Sequence, residues 1–294
     1  MEETLIINYK DVDVQRGEAV ILYNVDFEVH AGEFVYLTGV VGSGKTSLLK
    51  TIYGELDIET GSAEVLDRNM RTIKRRHIPA LRKQMGIVFQ DFRLLSDRNV
   101  RKNLDFVLRA TGWKSRAERA DRISEVLKAV GLADKLEAMP YELSGGEQQR
   151  ICIARAILNS PKLILADEAT GNQDEESGLQ TAQILHDLAL QGTAVVMATH
   201  NNALISRFPG TVYECRDHRL IRVGSVQNTP LPHREEQGEK EVDLMSSSPS
   251  DRDLTLKPRT DSQEGGAPSP EDEADDIPVA TIAAPINDSQ INNS

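Results

Sequence analysis

Apolar and polar residues alternate along 4–10 and along 21–29, the latter reading ILYNVDFEV, and this period of two predicts strands with one buried face. A more continuous apolar run, GEFVYLTG at 32–39, predicts a strand covered on both sides. A glycine-rich loop follows it, and then a helix over 45–54. Further strands are predicted at 85–89 (MGIVF), 163–167 (LILAD) and 193–199 (TAVVMAT). Between Phe92 and Tyr141 the period turns helical, with segments near 98–111 and 115–130 parted by Gly112 and ended at Gly131. Two more helices are predicted at about 146–159 and 175–190. Strands separated by helices imply the α/β class: a mostly parallel sheet, helices on its faces, and an inserted helical lobe over about 91–142. The sequence contains no internal repeat.

Composition adds a boundary. With 39% hydrophobic residues in 294, there is ample material for a core. No apolar run approaches the roughly 18 residues of a membrane helix, and the acidic start Met1-Glu2-Glu3 does not resemble a signal peptide, so a cytoplasmic protein is expected. Cys152 and Cys215 lie in apolar or strand-like settings and read as reduced core thiols. Of the net charge of −12, the stretch 230–294 supplies −10, with 15 acids against 5 bases, so residues 1–229 are near neutral at −2. That stretch is rich in proline and serine, carries Glu271-Asp272-Glu273, and has no aromatic residue. It cannot bury enough apolar area to offset its ordering entropy, so two regions are expected: a folded domain over 1–228 and a disordered acidic tail over 229–294. The tail reads either as a solvated extension or as a regulatory or partner-binding segment. A near-neutral body beside an acidic tail argues against binding a nucleic-acid backbone.

The chemistry starts at GVVGSGKT, residues 39–46, which satisfies G-x-x-x-x-G-K-[ST] after a predicted strand and before a predicted helix. Gly39, Val40, Val41, Gly42, Ser43 and Gly44 form a loop whose backbone N–H groups can point at phosphates. The helix that begins with Lys45, Thr46 and Ser47 adds its positive end. Lys45 is placed to reach the terminal phosphates, and the Thr46 hydroxyl to ligate Mg²⁺. Some 120 residues later the apolar strand LILAD ends in Asp167, followed by Glu168. Asp167 is placed to hold Mg²⁺ through its water shell, and Glu168 to polarise the attacking water as general base.

LSGGEQQR at 143–150 decides the class, since it resembles the signature motif of ABC-type ATPases. In that family Ser144, Gly145, Gly146 and Glu147 open a helix that binds the ATP held by a partner's P-loop, so the resemblance implies a homodimer with ATP and Mg²⁺ between its subunits. It also implies a P-loop NTPase fold of the ABC type, with a mostly parallel core sheet and an antiparallel N-terminal β part. Gln90 in IVFQD matches the Q-loop glutamine, which contacts Mg²⁺ and water. His200 in MATHN matches the switch histidine, which stabilises the γ-phosphate and orients Glu168. Asp174 matches the D-loop aspartate at the dimer seam. The resemblance covers roughly residues 4–225. Within the family, IPALRKQMGIVFQDFRLLSDRNVRKNL (78–104) is similar to the bacterial cell-division branch. That branch implies an integral membrane subunit of FtsX type, docked on DFRLLSDRNV, and a peripheral place on the cytoplasmic face of the bacterial plasma membrane. Lipoprotein-releasing and macrolide-type export ATPases share most of these motifs and stand as the alternative.

Three positions depart from the family pattern. Gln15 or Arg16 falls where an aromatic usually stacks on adenine, Ala169 replaces a proline, and Gln173 replaces a leucine and puts a polar side chain near the dimer seam. Slower or less tightly coupled turnover is expected from them, not its absence. The basic run RTIKRRH (71–77) reads as a solvated face or as a contact to anionic lipid. Trp113 reads as a packing residue of the helical lobe.

Overall fold

The structure, a computed structural model, describes residues 4–171 and 173–226. The chain divides into two units, Met1–Thr229 and Pro230–Ser294, and the stretch expected to form an acidic tail lies outside the described residues.

The first unit opens with a hairpin of β1 (Leu5–Arg16) and β2 (Ala19–His30), antiparallel through Tyr9↔Phe27 and Gln15↔Val20. Alternation fails at Lys10-Asp11, yet the strand continues to Arg16, because Asp11 (φ 55°) and Asn24 (φ 51°) take left-handed conformations. The register shifts between Tyr9 and Val12, so Tyr9, Val12 and Val14 all face inward with Leu22, Val25 and Phe27. Aspartate and asparagine tolerate that backbone better than other side chains, and here Asn24 Nδ2 donates to the Asp11 carboxylate.

β3 (Phe34–Thr38) leads through the loop 39–44 into α1 (Lys45–Ile52). β4 (Ser62–Val65) and β5 (Arg68–Asn69) then complete a four-stranded antiparallel sheet in the order β2-β1-β4-β5. After the short α2 (Ile78–Arg82) comes β6 (Met85–Val88), then the lobe helices α3 (Val100–Ala110) and α4 (Arg116–Ala129). Asn99 and Ser115 cap these helices, accepting from the amides of Lys102 (2.9 Å) and Glu118 (3.3 Å). Trp113 packs between the lobe and its support as expected, its Nε1 donating to Asn159 Oδ1 at 3.0 Å.

α5 (Gly145–Ile157), β7 (Leu163–Asp167), α6 (Glu175–Leu190) and β8 (Ala194–Ala198) alternate as the pattern predicts. The chain adds α7 (Asn202–Arg207), β9 (Gly210–Arg216) and β10 (Arg219–Val226), which the pattern of apolar positions does not predict. The second sheet runs β10-β9-β3-β8-β7-β6, parallel except for β10 at its edge.

Period two sorts this sheet into two cores. Val35, Leu37, Leu163, Leu165 and Val196 pack towards α1 and the antiparallel sheet. Their neighbours Phe34, Tyr36, Ile164, Ala166, Val195 and Met197 pack towards the helical side with α3 to α6. Truncating a buried Leu of either layer to Ala costs about 2–5 kcal/mol. Cys152 and Cys215 are free and buried, and burial pushes both thiols up to about 11. The run 71–77 is exposed apart from Ile73, with Arg71 donating to the Gly61 carbonyl at 2.8 Å. No helix among the described residues is long and apolar enough to cross a membrane.

Candidate active site

Parallel strands bring their C-terminal ends to one edge of a sheet, and ligand sites of open α/β sheets form there. β3, β6, β7 and β8 are adjacent or nearly so in this sheet, and on leaving it they deliver the glycine-rich loop, Gln90, Asp167-Glu168 and His200. Four motifs scattered from 39 to 200 thus meet through topology alone.

The loop after β3 is a tight cradle. Gly39 (φ 129°), Gly42 (φ 83°) and Gly44 (φ 107°) take backbone conformations closed to ordinary side chains. A Cβ on Gly39 would strike the Cys215 carbonyl, and one on Gly44 would lie 2.9 Å from Ile21. Val40 and Val41 stand outside, 78% and 88% exposed. Inside, the Ser43 hydroxyl is buried with no hydrogen-bond partner, an orphan that a phosphate oxygen would satisfy. Lys45 is 5% exposed and its Nζ donates to the carbonyls of Gly39 (2.8 Å) and Val40 (3.1 Å). An ammonium held on two neutral carbonyls, beside an unsatisfied hydroxyl, suits an incoming anion. Ser47 follows Thr46 in the first turn of α1.

The acidic half sits opposite. Thr46 Oγ1 donates to Asp167 Oδ1 at 3.1 Å, which joins the two expected metal ligands across 121 positions of sequence. Burial raises the Asp167 pKa above the ordinary carboxylate value; the Thr46 hydrogen bond opposes the shift and the neighbouring Glu168 charge adds to it. A half-desolvated carboxylate beside a second one and a hydroxyl is a donor set for a hard cation. Glu168 Oε1 lies 4.0 Å from Lys45 Nζ, and Oε2 lies 3.8 Å from His200 Nδ1. Glu168 itself adopts φ 47°, held by its N–H on the Ala198 carbonyl (3.0 Å) and by the Gly171 N–H on its own carbonyl (3.0 Å). His200 is 61% exposed and follows Thr199, whose buried N–H donates to the Leu37 carbonyl at 3.0 Å. Gln90 follows β6, whose Val88 pairs with Ala166, so it emerges beside the acidic pair.

The second anion motif forms the start of α5. Ser144 Oγ accepts from the Glu147 N–H (3.2 Å) and Glu147 Oε2 accepts from the Ser144 N–H (2.8 Å), a reciprocal cap at the start of α5. That backbone hydrogen bond, with Lys135 3.1 Å from Oε1, holds the Glu147 carboxyl below its usual range. Among the described residues, no hydrogen bond or ion pair joins this cap to the loop 39–46. Gly145 and Gly146 keep the helix end open, and a Cβ on Gly146 would meet Ser177 at 2.7 Å or less. Ser177 in turn caps onto Asp174, whose Oδ1 accepts from its N–H (2.9 Å) and Oδ2 from its hydroxyl (2.7 Å). These bonds hold Asp174 below its usual range.

Some contributors carry no motif in the sequence. The Ala198 and Cys215 carbonyls shape the site through backbone alone, and Cys215 lies on the unpredicted β9. Asn103, buried on α3, accepts from the Leu95 N–H and donates to the carbonyls of Leu95, Arg98 and Asn99, pinning the loop after Gln90. Arg155 on α5 donates to the carbonyls of Phe92 (2.7 Å) and Arg93 (2.6 Å), both with positive φ. Gln15, where adenine stacking is expected from the family, is partly exposed near the end of β1.

A family model described as ABC transporter matches residues 22–171, about half the chain. The cell division ATP-binding protein FtsE of Streptococcus pneumoniae is 40% identical over 201 residues, covering 68% of this chain and 87% of that protein. FtsE of Escherichia coli is 41% identical over 191 residues, covering 65% and 86%. Among solved structures, the ATP-binding cassette MJ0796, a dimer in a post-hydrolysis state bound to ADP and Pi, is 30% identical with a TM-score of 0.68, covering 76% of this chain and all of that one. A second dimeric structure of the same cassette is 32% identical with a TM-score of 0.67, covering 74% of this chain and 97% of that one. A cradle, two acids, a histidine and a separate signature cap, carried on a fold shared with these cassettes, have one reading: the chain belongs to the family of ABC transporter ATPases, in the branch of the cell-division protein FtsE.

Proposed function

We propose that this chain hydrolyses ATP as one half of a homodimer and drives an integral membrane subunit of FtsX type during bacterial cell division, from the cytoplasmic face of the plasma membrane. The observation that carries the reading is the Thr46–Asp167 hydrogen bond, with Glu168 between Lys45 and His200. Metal ligand, water-polarising base, phosphate-binding cation and orienting imidazole fall within one site.

Thr46, Asp167 and Gln90 would hold Mg²⁺, which when bound neutralises phosphate charge and fixes its orientation. Lys45 exchanges its two loop carbonyls for phosphate oxygens, and the Ser43 hydroxyl gains the partner it lacks. Gly39 to Gly44 supply N–H groups, and Ser47 extends the helix end behind them. Glu168 accepts the proton of the attacking water, and His200 orients its carboxylate. Ser144, Gly145, Gly146 and Glu147, bonded to no residue of their own cradle among the described residues, would serve the ATP of a second copy, with Asp174 beside them. The partner subunit would dock on 91–100, the loop that Asn103 and Arg155 hold.

Co-purification from membranes tests the partner. An FtsX-type subunit is expected with the tagged chain and is lost with Leu95→Asp at the exposed loop. Recovery of a lipoprotein-releasing or export permease instead would overturn that assignment while leaving the ATPase intact.

A further inference from the structure

Two residues that depart from the family pattern meet in the fold. The side-chain amide of Gln173 donates from Nε2 to the Ala169 carbonyl at 2.9 Å, and its Oε1 accepts from Thr181 Oγ1 at 3.0 Å. The glutamine therefore uses both ends of its amide inside the chain. Ala169 is 1% exposed and Thr181 is fully buried on α6. A buried carbonyl and a buried hydroxyl each gain their partner from one side chain, so neither is left unsatisfied.

The bridge holds the carbonyl of the residue that follows Glu168. A glutamate at φ 47° costs of order 1 kcal/mol or more and keeps that conformation only where its surroundings over-determine it. Its N–H is held by the Ala198 carbonyl, and its carbonyl by Gly171. The next carbonyl along the chain, that of Ala169, is held by Gln173 alone among the described residues.

We propose that Gln173 is a positioning residue for Glu168, tying the turn after the glutamate to the buried Thr181 hydroxyl of α6 and so fixing where the carboxylate stands. The inference rests on the reading of Glu168 as the base that polarises water. Gln173 spends both ends of its amide on the Ala169 carbonyl and the Thr181 hydroxyl, so its loss should slow the chemical step and leave nucleotide binding alone.

Three variants of the full-length chain test this, each measured for kcat, KM for ATP, affinity for a fluorescent ATP analogue, and thermal midpoint. Gln173→Met keeps the length of the side chain and removes the amide. It should lower kcat about fivefold, the worth of a neutral hydrogen bond, with KM and nucleotide affinity within about twofold. Thr181→Val keeps the shape of the buried threonine and removes its donor, and it should lower kcat in the same way but less. The double variant should be no slower than Gln173→Met, because both cut one bridge. A Gln173→Met protein with unchanged kcat overturns the proposal. So do kcat losses that multiply in the double variant, or a loss confined to KM or to the thermal midpoint. If Gln173→Met does not fold, unchanged kcat in Thr181→Val overturns it equally. Glu168→Gln measured alongside separates the two ideas: retained hydrolysis there refutes the role of Glu168 itself, whatever Gln173 does.

Discussion

At Asp167 the requirements of the fold and of the site conflict. The folded chain holds this carboxyl in a half-buried place beside Glu168, and burial raises its pKa. An acid with a raised folded pKa destabilises the native state once pH exceeds its unfolded value, because the unfolded chain then ionises more readily. Asp167→Asn keeps the acceptor for Thr46 and removes the charge. Without nucleotide it should raise the thermal midpoint by about 1–3 °C at pH 7, and the gain should vanish near pH 3, where both states are protonated. Hydrolysis should be lost in the same variant. A lower midpoint at pH 7 in scanning calorimetry would contradict this account of the site.

At the scale of elements, two features of α5 make separate predictions. Its reciprocal cap keeps the Glu147 carboxyl below the usual range, so the cap contributes stability above the unfolded value and loses it as pH falls through the folded one. Glu147→Gln should therefore lower the midpoint of thermal unfolding at pH 7, and the deficit should shrink as pH falls through the folded value. On a later turn of the helix, Arg155 satisfies the carbonyls of two consecutive left-handed residues, Phe92 and Arg93. Arg155→Ala leaves both carbonyls short of a charged donor and should cost about 2–3 kcal/mol in denaturant unfolding. The same variant should weaken capture of the membrane subunit, because the loop it releases is the proposed docking segment.

Elements differed in how far they could be read from sequence. The strands beneath the site were legible because parallel, doubly covered strands are continuous apolar runs, as in LILAD and AVVMA. The extent of β1 was not, since the bulge at Asp11 lets Tyr9 and Val12 share a face although three positions apart. β9 does alternate, burying Thr211, Tyr213 and Cys215, but Arg216-Asp217-His218-Arg219 at the hairpin turn masks the pattern as a polar loop. α7 has six residues, too few for helical periodicity to emerge.

Over the whole molecule, the candidate site could be read where its chemistry needs contiguous residues and could not where it needs only backbone. GVVGSGKT, LSGGEQQR and the Asp167-Glu168 pair must keep fixed spacing to do their work, so spacing reveals them. The Ala198 carbonyl, the Cys215 carbonyl and the Gln173 bridge depend on topology, which composition does not encode residue by residue. Among the described residues no hydrogen bond or ion pair joins the signature cap to its own cradle, and in the proposed homodimer a second copy would supply the cap. The most direct test of this account is ATP turnover by Glu168→Gln beside the wild-type chain, under conditions where both bind Mg²⁺ and ATP equally. Phosphate release should fall at least about a hundredfold, the loss expected for removing a general base. Turnover by Glu168→Gln at the wild-type rate would contradict it.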